Sequence, residues 1–274
     1  MTRTRFRRNR AAVAGLIVLI LLGLAAAGAP WLAPYDPDEP FVGPRHARPG
    51  RTHWMGTDQM GRDLFSRVLH GSRISLAIGL LTAVLATGVG VVVGTVAGFW
   101  GGPLDGLLMR FTDVMLTFPF MFLALAMVVL FEPGFWVLVW VLALISWPGM
   151  ARIARAEVLA LRRQEFVEGA VAVGVPTGRI ILRHLLPNLT GPIVVYATLT
   201  VGSAILGESA LSYLGLGVPG TASWGQLLRD GKEYMVLNNF WYTFFPGLFI
   251  FITVLAINFV GDGLRDALDP RTDR

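Results

Sequence analysis

The sequence has 274 residues, of which 54% are hydrophobic and only 15% are charged, whereas a soluble domain carries about 25% charged residues. The net charge is +5, but the charged residues lie in short stretches between long uncharged runs, so they form no basic face of the kind that nucleic-acid binding requires. Because cysteine is absent, disulfides, thiolate metal sites and cysteine nucleophiles are excluded. The high hydrophobic fraction and the low charged fraction predict an integral membrane protein.

Six runs without a charged residue are each about as long as a membrane-spanning helix, which needs roughly 20 residues. Backbone polar groups within lipid must be satisfied inside the segment, so each run is predicted to be a helix. The runs cover residues 11–35, 74–104, 114–131, 133–151, 185–207 and 234–261. We therefore predict an all-α membrane protein with six transmembrane helices, in which residues 74–262 form the core transmembrane domain.

The first predicted span, residues 11–35, follows the basic segment 1–10, which contains five arginines. The apolar part of a secretory signal peptide has about 7–15 residues, so the length of this run favours a retained signal anchor over a cleaved signal. With residues 1–10 in the cytoplasm, 15 basic residues lie inside and 8 outside, in agreement with the positive-inside rule. An even number of spans then places both termini, including the tail 263–274, in the cytoplasm.

Residues 36–73 are predicted to form an extracytoplasmic loop that ends in a short amphipathic helix. Four prolines oppose helix formation in the first half of the loop. Leu64, Val68 and Leu69 have helical spacing just before the second span. The region also contains His46, His53 and His70. Their spacing does not indicate a metal site, and we predict that these histidines are solvated or structural.

The second predicted span carries small residues at every fourth position. These are Ala86, Gly90, Gly94 and Gly98. Such a pattern lets two helix backbones approach closely, so this span is predicted to be a packed inner helix. Prolines in the later spans are predicted to kink helices or to mark their ends. They are Pro119, Pro148 and Pro246.

Residues 152–187 form the longest charged stretch on the predicted cytoplasmic side. The spacing of apolar residues predicts that a helix continues out of the fourth span into this stretch. Gly174 is predicted to stop the helical segment, Pro176 prevents simple continuation, and Thr177 is predicted to cap a second helix. The stretch is therefore predicted to be a compact helix–turn–helix elbow.

Within this stretch the sequence reads Glu168-Gly169-Ala170, then Gly174 four positions later, then His184-Leu185-Leu186-Pro187. This spacing resembles the EAA loop of bacterial ABC importer permeases. Gly169 stands where the family pattern has alanine, and His184 stands where it has isoleucine. The glycine is expected to loosen the helix by roughly 0.5–1 kcal/mol without removing the motif. The histidine is typical of the peptide-type permeases.

Three further segments resemble the C-type permease subunits of the dipeptide, oligopeptide and nickel family. They are residues 53–76, 207–225 and 261–270. With the EAA-like loop they make four matching segments in the same order, and the resemblance extends over nearly the whole length of the chain. The resemblance implies the transmembrane fold of type I ABC importers with a cytoplasmic coupling helix.

The resemblance also implies a function and a set of partners. The chain would be half of a translocation path for di- or oligopeptides in a bacterial inner membrane, with a second homologous permease subunit, two ATP-binding subunits and an extracytoplasmic solute-binding protein. Glu168 would pair with a basic group on the ATPase, and Gly174 would permit the sharp turn. The implied coupling residues are Glu168, Gly169, Ala170, Gly174, Pro176, His184, Leu186 and Pro187.

Several alternatives remain open from the sequence. The same machine would also suit nickel, glutathione or another small solute. A channel or an ion-driven carrier predicts acids or histidines buried in mid-span, which the uncharged runs disfavour. A membrane-embedded enzyme has the least support, because no catalytic constellation stands out. No catalytic residue, cofactor or metal is predicted, and without a G-x-x-x-x-G-K-[ST] sequence the chain is not expected to bind ATP itself.

Glu208 is the ionisable residue that directly follows the fifth uncharged run. An ionisable group at a membrane helix is a candidate functional residue, so Glu208 is a candidate for the substrate path. The alternative is that its carboxylate stays hydrated just outside the hydrocarbon core.

Overall fold

A computed structural model describes residues 6–234 and 239–268 of the chain, and this described part is helical without a β-strand. Two π-helical turns, Ile181–Leu185 and Ser212–Leu216, flank the ninth helix. The helices are α1 (Arg10–Ala27), α2 (Ala29–Leu32), α3 (Leu64–Trp100), α4 (Gly102–Thr117), α5 (Phe120–Phe131), α6 (Phe135–Arg162), α7 (Glu165–Ala172), α8 (Thr177–Ile180), α9 (Leu186–Leu211), α10 (Trp224–Lys232) and α11 (Trp241–Leu268). The prediction of an all-α fold is confirmed.

Five of the helices in the described residues are long and apolar enough to cross a membrane. They are α1, α3, α6, the segment Thr177–Leu216, which comprises α8, α9 and the two π-helical turns, and α11. The pair α4 and α5 is bent by 91°, and it gives a sixth crossing if the two helices are counted as one broken span. The prediction of one continuous helix over residues 114–131 is therefore wrong. Phe118 is extended before Pro119, because proline disfavours a helical conformation in the residue that precedes it.

The three prolines were predicted to kink helices or to mark their ends. Pro119 marks a helix boundary, as predicted. Pro148 and Pro246 lie inside α6 and α11, so they do not mark ends, and a kink at either residue stays a prediction.

The predicted short amphipathic helix before the second span is not a separate element. It is the first part of α3, which runs without interruption for 37 residues. Asp63 caps this helix, because its carboxylate accepts hydrogen bonds from the backbone N–H and the hydroxyl of Ser66, both at 2.8 Å. Leu64 and Val68 are fully buried, so the amphipathic pattern reports burial inside the bundle.

Helix α3 lies at the centre of the bundle and packs along α6, with α9 and α1 on its other sides. The small residues predicted to allow close approach do so. A Cβ atom at Gly90 would lie 2.5 Å from the Cβ of Met150, and one at Gly98 would lie 2.9 Å from the backbone oxygen of Arg155. Arg155 also forms a two-pronged ion pair with Asp105 at 2.5 and 2.6 Å, which holds α4 against α6.

The bundle has two distinct ends. The first turn of α1 and the ends of α3, α6 and α11 gather at one end, where Gly98 faces Val158 and Gly263 faces Ala12. This end also carries α7 and α8, and we call it the elbow end. The opposite end carries residues 33–63, which contain no helix, together with α10, and we call it the loop end. The expectation of a non-helical first half of the loop is confirmed.

A buried ion-pair network organises the loop end. The carboxylate of Asp58 is almost fully buried and accepts hydrogen bonds from Arg62 Nε, at 2.6 Å, and from the guanidinium of Arg67. Arg67 also lies 3.6 Å from Asp230 of α10. Burial raises the pKa of the Asp230 carboxyl more than the positive charges of Arg67 and Arg62 lower it. Asp58 is therefore the principal counter-ion of the buried Arg67.

Replacing Asp58 with Asn is expected to lower the free energy of unfolding by about 3–5 kcal/mol, because the guanidinium of Arg67 would stay buried without its main counter-ion. The measurement is thermal unfolding of the purified protein. Asp38→Asn is the matched control, since Asp38 is an exposed carboxylate in the same loop. Equal stability of the two variants would contradict the importance of the network.

Two of the three histidines, His46 and His53, have structural roles, which is one of the two predicted alternatives. His53 is buried and its Nδ1 lies 2.9 Å from Asp63, while the ring of His46 lies against Tyr234 and Tyr242. Across residues 6–234 and 239–268, no group of three or more metal-binding side chains is found.

Candidate functional site

The elbow is built around α7, which is separated by two residues from the end of α6 at Arg162. The backbone oxygen of Gln164 accepts hydrogen bonds from the N–H groups of Val167 and Glu168, at 2.9 and 3.0 Å. Glu165 and Glu168 lie in the first turn of α7, where a negative charge is stabilised by the helix dipole. The fourth span thus continues beyond the apolar run, as predicted, and the chain then turns sharply into a second, short helix.

Gly174 ends α7 in the way the sequence predicts. It has a φ of +77°, a left-handed conformation that glycine adopts without steric cost. The N–H of Val175 donates to the oxygen of Ala170 and that of Gly174 to the oxygen of Val171, both at 3.0 Å. These bonds satisfy backbone oxygens at the end of the helix and fix the direction of the chain.

Pro176 and Pro187 mark the starts of the next helices. Pro176 directly precedes α8, and its backbone oxygen accepts the N–H groups of Arg179 and Ile180 at 2.9 and 3.1 Å. Thr177 is the first residue of α8, and no side chain forms a cap hydrogen bond there, so the predicted Thr177 cap is wrong. Pro187 lies in the first turn of α9, where a missing N–H carries no cost.

His184 connects the two arms of the elbow. It lies in the π-helical turn before Leu186, and its ring centre is 6.3 Å from that of Phe166 on α7. Its backbone oxygen accepts a hydrogen bond of 2.7 Å from the side chain of Asn188. The residues that carry the EAA-like pattern are therefore brought together in one compact unit of three short helical segments.

The inside of the elbow is a fully buried apolar cluster that includes residues of four α-helices and of the first π-helical turn. Its members are Val158, Val167, Ile180, Leu185 and Leu189. Because Val158 belongs to α6 and Leu189 to α9, the cluster fixes the elbow to two long helices at once. The elbow is thus positioned by the same kind of packing as a domain core.

The outside of the elbow is exposed and partly apolar, which the sequence analysis did not predict. Glu168 and Gly169 are exposed. Phe166, Val171, Val173 and Leu182 are exposed by 44, 54, 80 and 68%. A signal was present in the sequence, because α7 carries more apolar residues than one buried stripe of an eight-residue helix holds. We call these six residues the coupling surface.

Gly169 is a weak point of α7 that a single substitution should remove. A Cβ atom at this position would meet no other atom within 4 Å. Gly169→Ala is therefore expected to stabilise α7 by about 0.5–1 kcal/mol, which is measurable as slower amide hydrogen exchange in this helix. Gly174→Ala is the contrasting variant: its positive φ predicts a loss of roughly 1–2 kcal/mol. If the two variants shift exchange in the same direction, this account of the two glycines is wrong.

Glu208 lies far from the elbow, near the opposite end of α9, and it is completely buried. Its carboxyl group lies 2.7 Å from the hydroxyl of Ser212 and 3.2 Å from that of Ser75. The alternative of a hydrated carboxylate is therefore wrong, because α3, α9 and α10 enclose the side chain. For the same reason Glu208 lines no open surface of the chain in this conformation.

Two family models match the chain and together cover most of it. The model of the binding-protein-dependent transport system inner membrane component matches residues 90–274. The model of the N-terminal transmembrane domain of oligopeptide transport permease C matches residues 1–49. The chain belongs to the family of binding-protein-dependent transport system inner membrane components. It is thus a multi-pass protein of the inner membrane, in agreement with its apolar helices.

Several curated relatives are similar over nearly the whole chain. The dipeptide transport system permease protein DppC of Bacillus subtilis (strain 168) is 41% identical over 98% of this chain and 85% of its own length. The oligopeptide transport system permease protein OppC of Escherichia coli (strain K12) is 44% identical over 98% of this chain and 90% of its own length. OppC of Haemophilus influenzae is 42% identical over 98% of this chain and 87% of its own length. The sequence resemblance to this family is confirmed.

Solved structures of the MetNI methionine ABC transporter in inward-facing conformations share the fold. One gives a TM-score of 0.61 at 20% identity and covers 74% of this chain and 96% of its own. A second crystal form gives a TM-score of 0.63, also at 20% identity, and covers 75% of this chain and 98% of its own. At this identity the similarity concerns the fold alone, and the expected ABC importer transmembrane fold is confirmed.

Proposed function

We propose that this chain is one permease subunit of an ATP-driven importer of di- or oligopeptides. The elbow is the observation that carries the proposal, because a short, exposed helix fixed to two spans is suited to receive motion from a soluble partner. The peptide substrate is supported by the names of relatives that match 98% of the chain. The chain lacks a phosphate-binding G-x-x-x-x-G-K-[ST] sequence, so ATP binding and hydrolysis are assigned to partner subunits.

The elbow end is proposed to face the cytoplasm and the loop end the outside. In this orientation the five arginines of residues 1–10 and the six basic residues between 152 and 183 lie inside, where the positive-inside rule places them. Both termini are then cytoplasmic. A solute-binding protein is proposed to deliver the peptide at the loop end.

ATP-driven motion is proposed to enter the chain through the coupling surface. An ATPase docks on α7, where Glu168 offers an exposed carboxylate to a basic group and the apolar side chains around it offer area for desolvated contact. Since the buried cluster of the elbow joins α6 to α9, a displacement of α7 moves both spans. A second, homologous permease subunit carries the other ATPase and completes the translocation path.

The proposed function is tested by purifying the chain through a tag from native membranes in mild detergent and identifying every chain that copurifies. We expect a second permease with two ATP-binding subunits, and ATPase activity that a peptide stimulates in the presence of the solute-binding protein. Stimulation by nickel or glutathione, but not by peptides, would replace the substrate. Recovery of this chain alone, without an ATPase in any of several detergents, would instead favour an ATP-independent channel or carrier.

A further inference from the structure

Three segments that are far apart in the sequence meet at the buried carboxyl group of Glu208. They are residues 71–76 at the start of α3, residues 207–217 at the end of α9, and residues 223–225 at the start of α10. The proposed transport function assigns no role to any of them. Their polar side chains nevertheless form one continuous hydrogen-bonded cluster inside the protein.

The cluster connects α3, α9 and α10 through short steps. Ser75 of α3 donates to Glu208 Oε2 at 3.2 Å and accepts the backbone N–H of Trp224 at the same distance. Ser212 lies 2.7 Å from Glu208 Oε1 and 3.5 Å from the hydroxyl of Ser223. Ser223 caps α10 by accepting the backbone N–H of Gln226 at 3.2 Å. Glu208 thus lies at the centre of a junction between two spans and α10.

Trp224 and Gly225 complete the contact. The indole N–H of Trp224 donates to the backbone oxygen of Val68 at 3.1 Å, and the ring is fully buried. A Cβ atom at Gly225 would lie 2.5 Å from the Cα of Ser209, so only glycine allows α10 to approach α9 this closely. The Ser-Trp-Gly sequence therefore has a specific role in seating α10 on the spans.

The partners of Glu208 are hydroxyl groups, and in the described residues no basic group lies within ion-pair distance of its carboxyl. On α3, Arg67 pairs with Asp58, and Arg73 is exposed. On α10, the guanidinium carbon of Arg229 would lie 3.0 Å from a Cβ atom at Gly215, and Lys232 lies over the ring of Tyr213. Asp230, also on α10, faces Arg67.

A carboxylate without a counter-ion is costly inside a protein, because a few hydroxyl groups do not replace its hydration. A neutral carboxylic acid suits the observed partners better. Protonated at Oε1, it would donate its O–H to the Ser212 hydroxyl, which accepts as readily as it donates, and it would accept the O–H groups of Ser75 and Ser209 at Oε2. Both oxygens would then be hydrogen-bonded without a buried charge.

We propose that Glu208 is a positioning residue which, as a neutral hydrogen-bonding acid, fastens α10 to α3 and α9. The loop-end ion pairs of Arg67 reach Asp230 on the same helix. Residues 33–63, α10 and the outer ends of both spans therefore move as one unit, and the negative charge of Glu208 is not required. The proposal holds whether or not the transported solute is a peptide.

The experiment uses the complex purified through a tag on this chain, with Glu208→Gln, Glu208→Leu and Ser75→Ala variants. Infrared spectroscopy of the unsubstituted protein should show the carbonyl band of a protonated carboxyl group, and Glu208→Gln should remove it. Hydrogen exchange should be unchanged in α10 of Glu208→Gln, to within about twofold, because the amide keeps the hydrogen bonds. It should be at least about tenfold faster there in Glu208→Leu and intermediate in Ser75→Ala.

Three results would overturn the proposal. The first would be that the protonated-carboxyl band is absent at neutral pH in the unsubstituted protein, or that it persists in Glu208→Gln. Alternatively, Glu208→Gln loosens α10 as much as Glu208→Leu does, which would mean that the charge is needed. Finally, Ser75→Ala and Glu208→Leu both leave α10 protected, which would mean that the cluster does not hold this helix. The infrared result and Ser75→Ala decide the matter even if Glu208→Leu does not fold.

Discussion

Replacing Glu168 with Lys is expected to lower ATP-driven uptake at least about tenfold, while the melting temperature of the protein stays unchanged. Glu168 is exposed on α7, so its substitution leaves no buried partner behind. The loss arises at the proposed contact with the ATPase, where an attraction between opposite charges becomes a repulsion between like charges. Such a repulsion costs several kcal/mol, whereas a tenfold change in affinity requires only roughly 1.4 kcal/mol. The measurement is uptake into vesicles together with the rate of ATP hydrolysis.

Glu157→Lys is the matched control, because Glu157 is an exposed carboxylate on α6 outside the coupling surface. This variant should keep normal uptake. Replacing the basic group of the ATPase that contacts Glu168 with an acidic one should restore uptake in the Glu168→Lys variant, and it should not restore uptake to the unsubstituted chain. Normal coupled uptake in Glu168→Lys would contradict a role for Glu168 in docking.

Replacing Gly94 with Leu is expected to destabilise the protein by about 3 kcal/mol, at the upper end of the cost of overpacking. A Cβ atom at this position would lie 2.7 Å from the Cβ of Ala154 and 2.9 Å from the backbone nitrogen of Arg155, so α3 and α6 would have to separate. In lipid no hydrophobic effect opposes this separation, since helix association there depends on close packing. Thermal unfolding and the yield of folded protein measure the effect.

Gly88→Leu provides the control on the same helix. A Cβ atom at Gly88 meets no other atom within 4 Å, so leucine there should be neutral or should stabilise the helix by up to about 1 kcal/mol. A similar loss of stability in both variants would show that helix propensity, and not contact between α3 and α6, explains the glycine pattern.

The sequence predicts the spans and the elbow because both depend on local rules. An uncharged run of sufficient length has few alternatives in lipid, and the four-residue spacing of Gly90, Gly94 and Gly98 specifies which side of α3 is packed. At the elbow, Gly174 and Pro176 restrict the backbone by their own chemistry, so the turn was predictable from these two residues. Thr177 was wrongly predicted to be a cap because Pro176 already positions the chain there.

The remaining features depend on contacts between distant segments. Pro119 predicted a kink or a helix end within the uncharged run, but no local pattern indicated that α4 and α5 are bent by as much as 91°. Glu208 looked like an exposed or path-lining residue because its hydroxyl partner Ser75 lies 133 residues away in the sequence. Likewise, the counter-ions of Arg67 come from two segments, one of them α10, which no local pattern connects.

Helices α8 and α9, with the two π-helical turns, link the two sites described here. This 40-residue helical segment, Thr177–Leu216, contains part of the elbow cluster at one end and Glu208 near the other. A displacement that enters at α7 is therefore expected to reach α10 through the buried cluster of the elbow and this helical segment. This arrangement suits a subunit that connects ATP hydrolysis on one side of a membrane to solute delivery on the other.

The central claim, that the elbow docks on an ATPase, is tested most directly by site-specific crosslinking. The chain has no cysteine, so Val173→Cys introduces a single thiol at a position exposed by 80%, and Arg51→Cys places one on the loop end as a control. The variants are treated in native membranes with a reagent that joins a thiol to a neighbouring amine. We expect Val173→Cys, and not Arg51→Cys, to become crosslinked to an ATP-binding subunit. Failure of Val173→Cys to capture an ATPase, or capture from Arg51→Cys instead, would contradict the account.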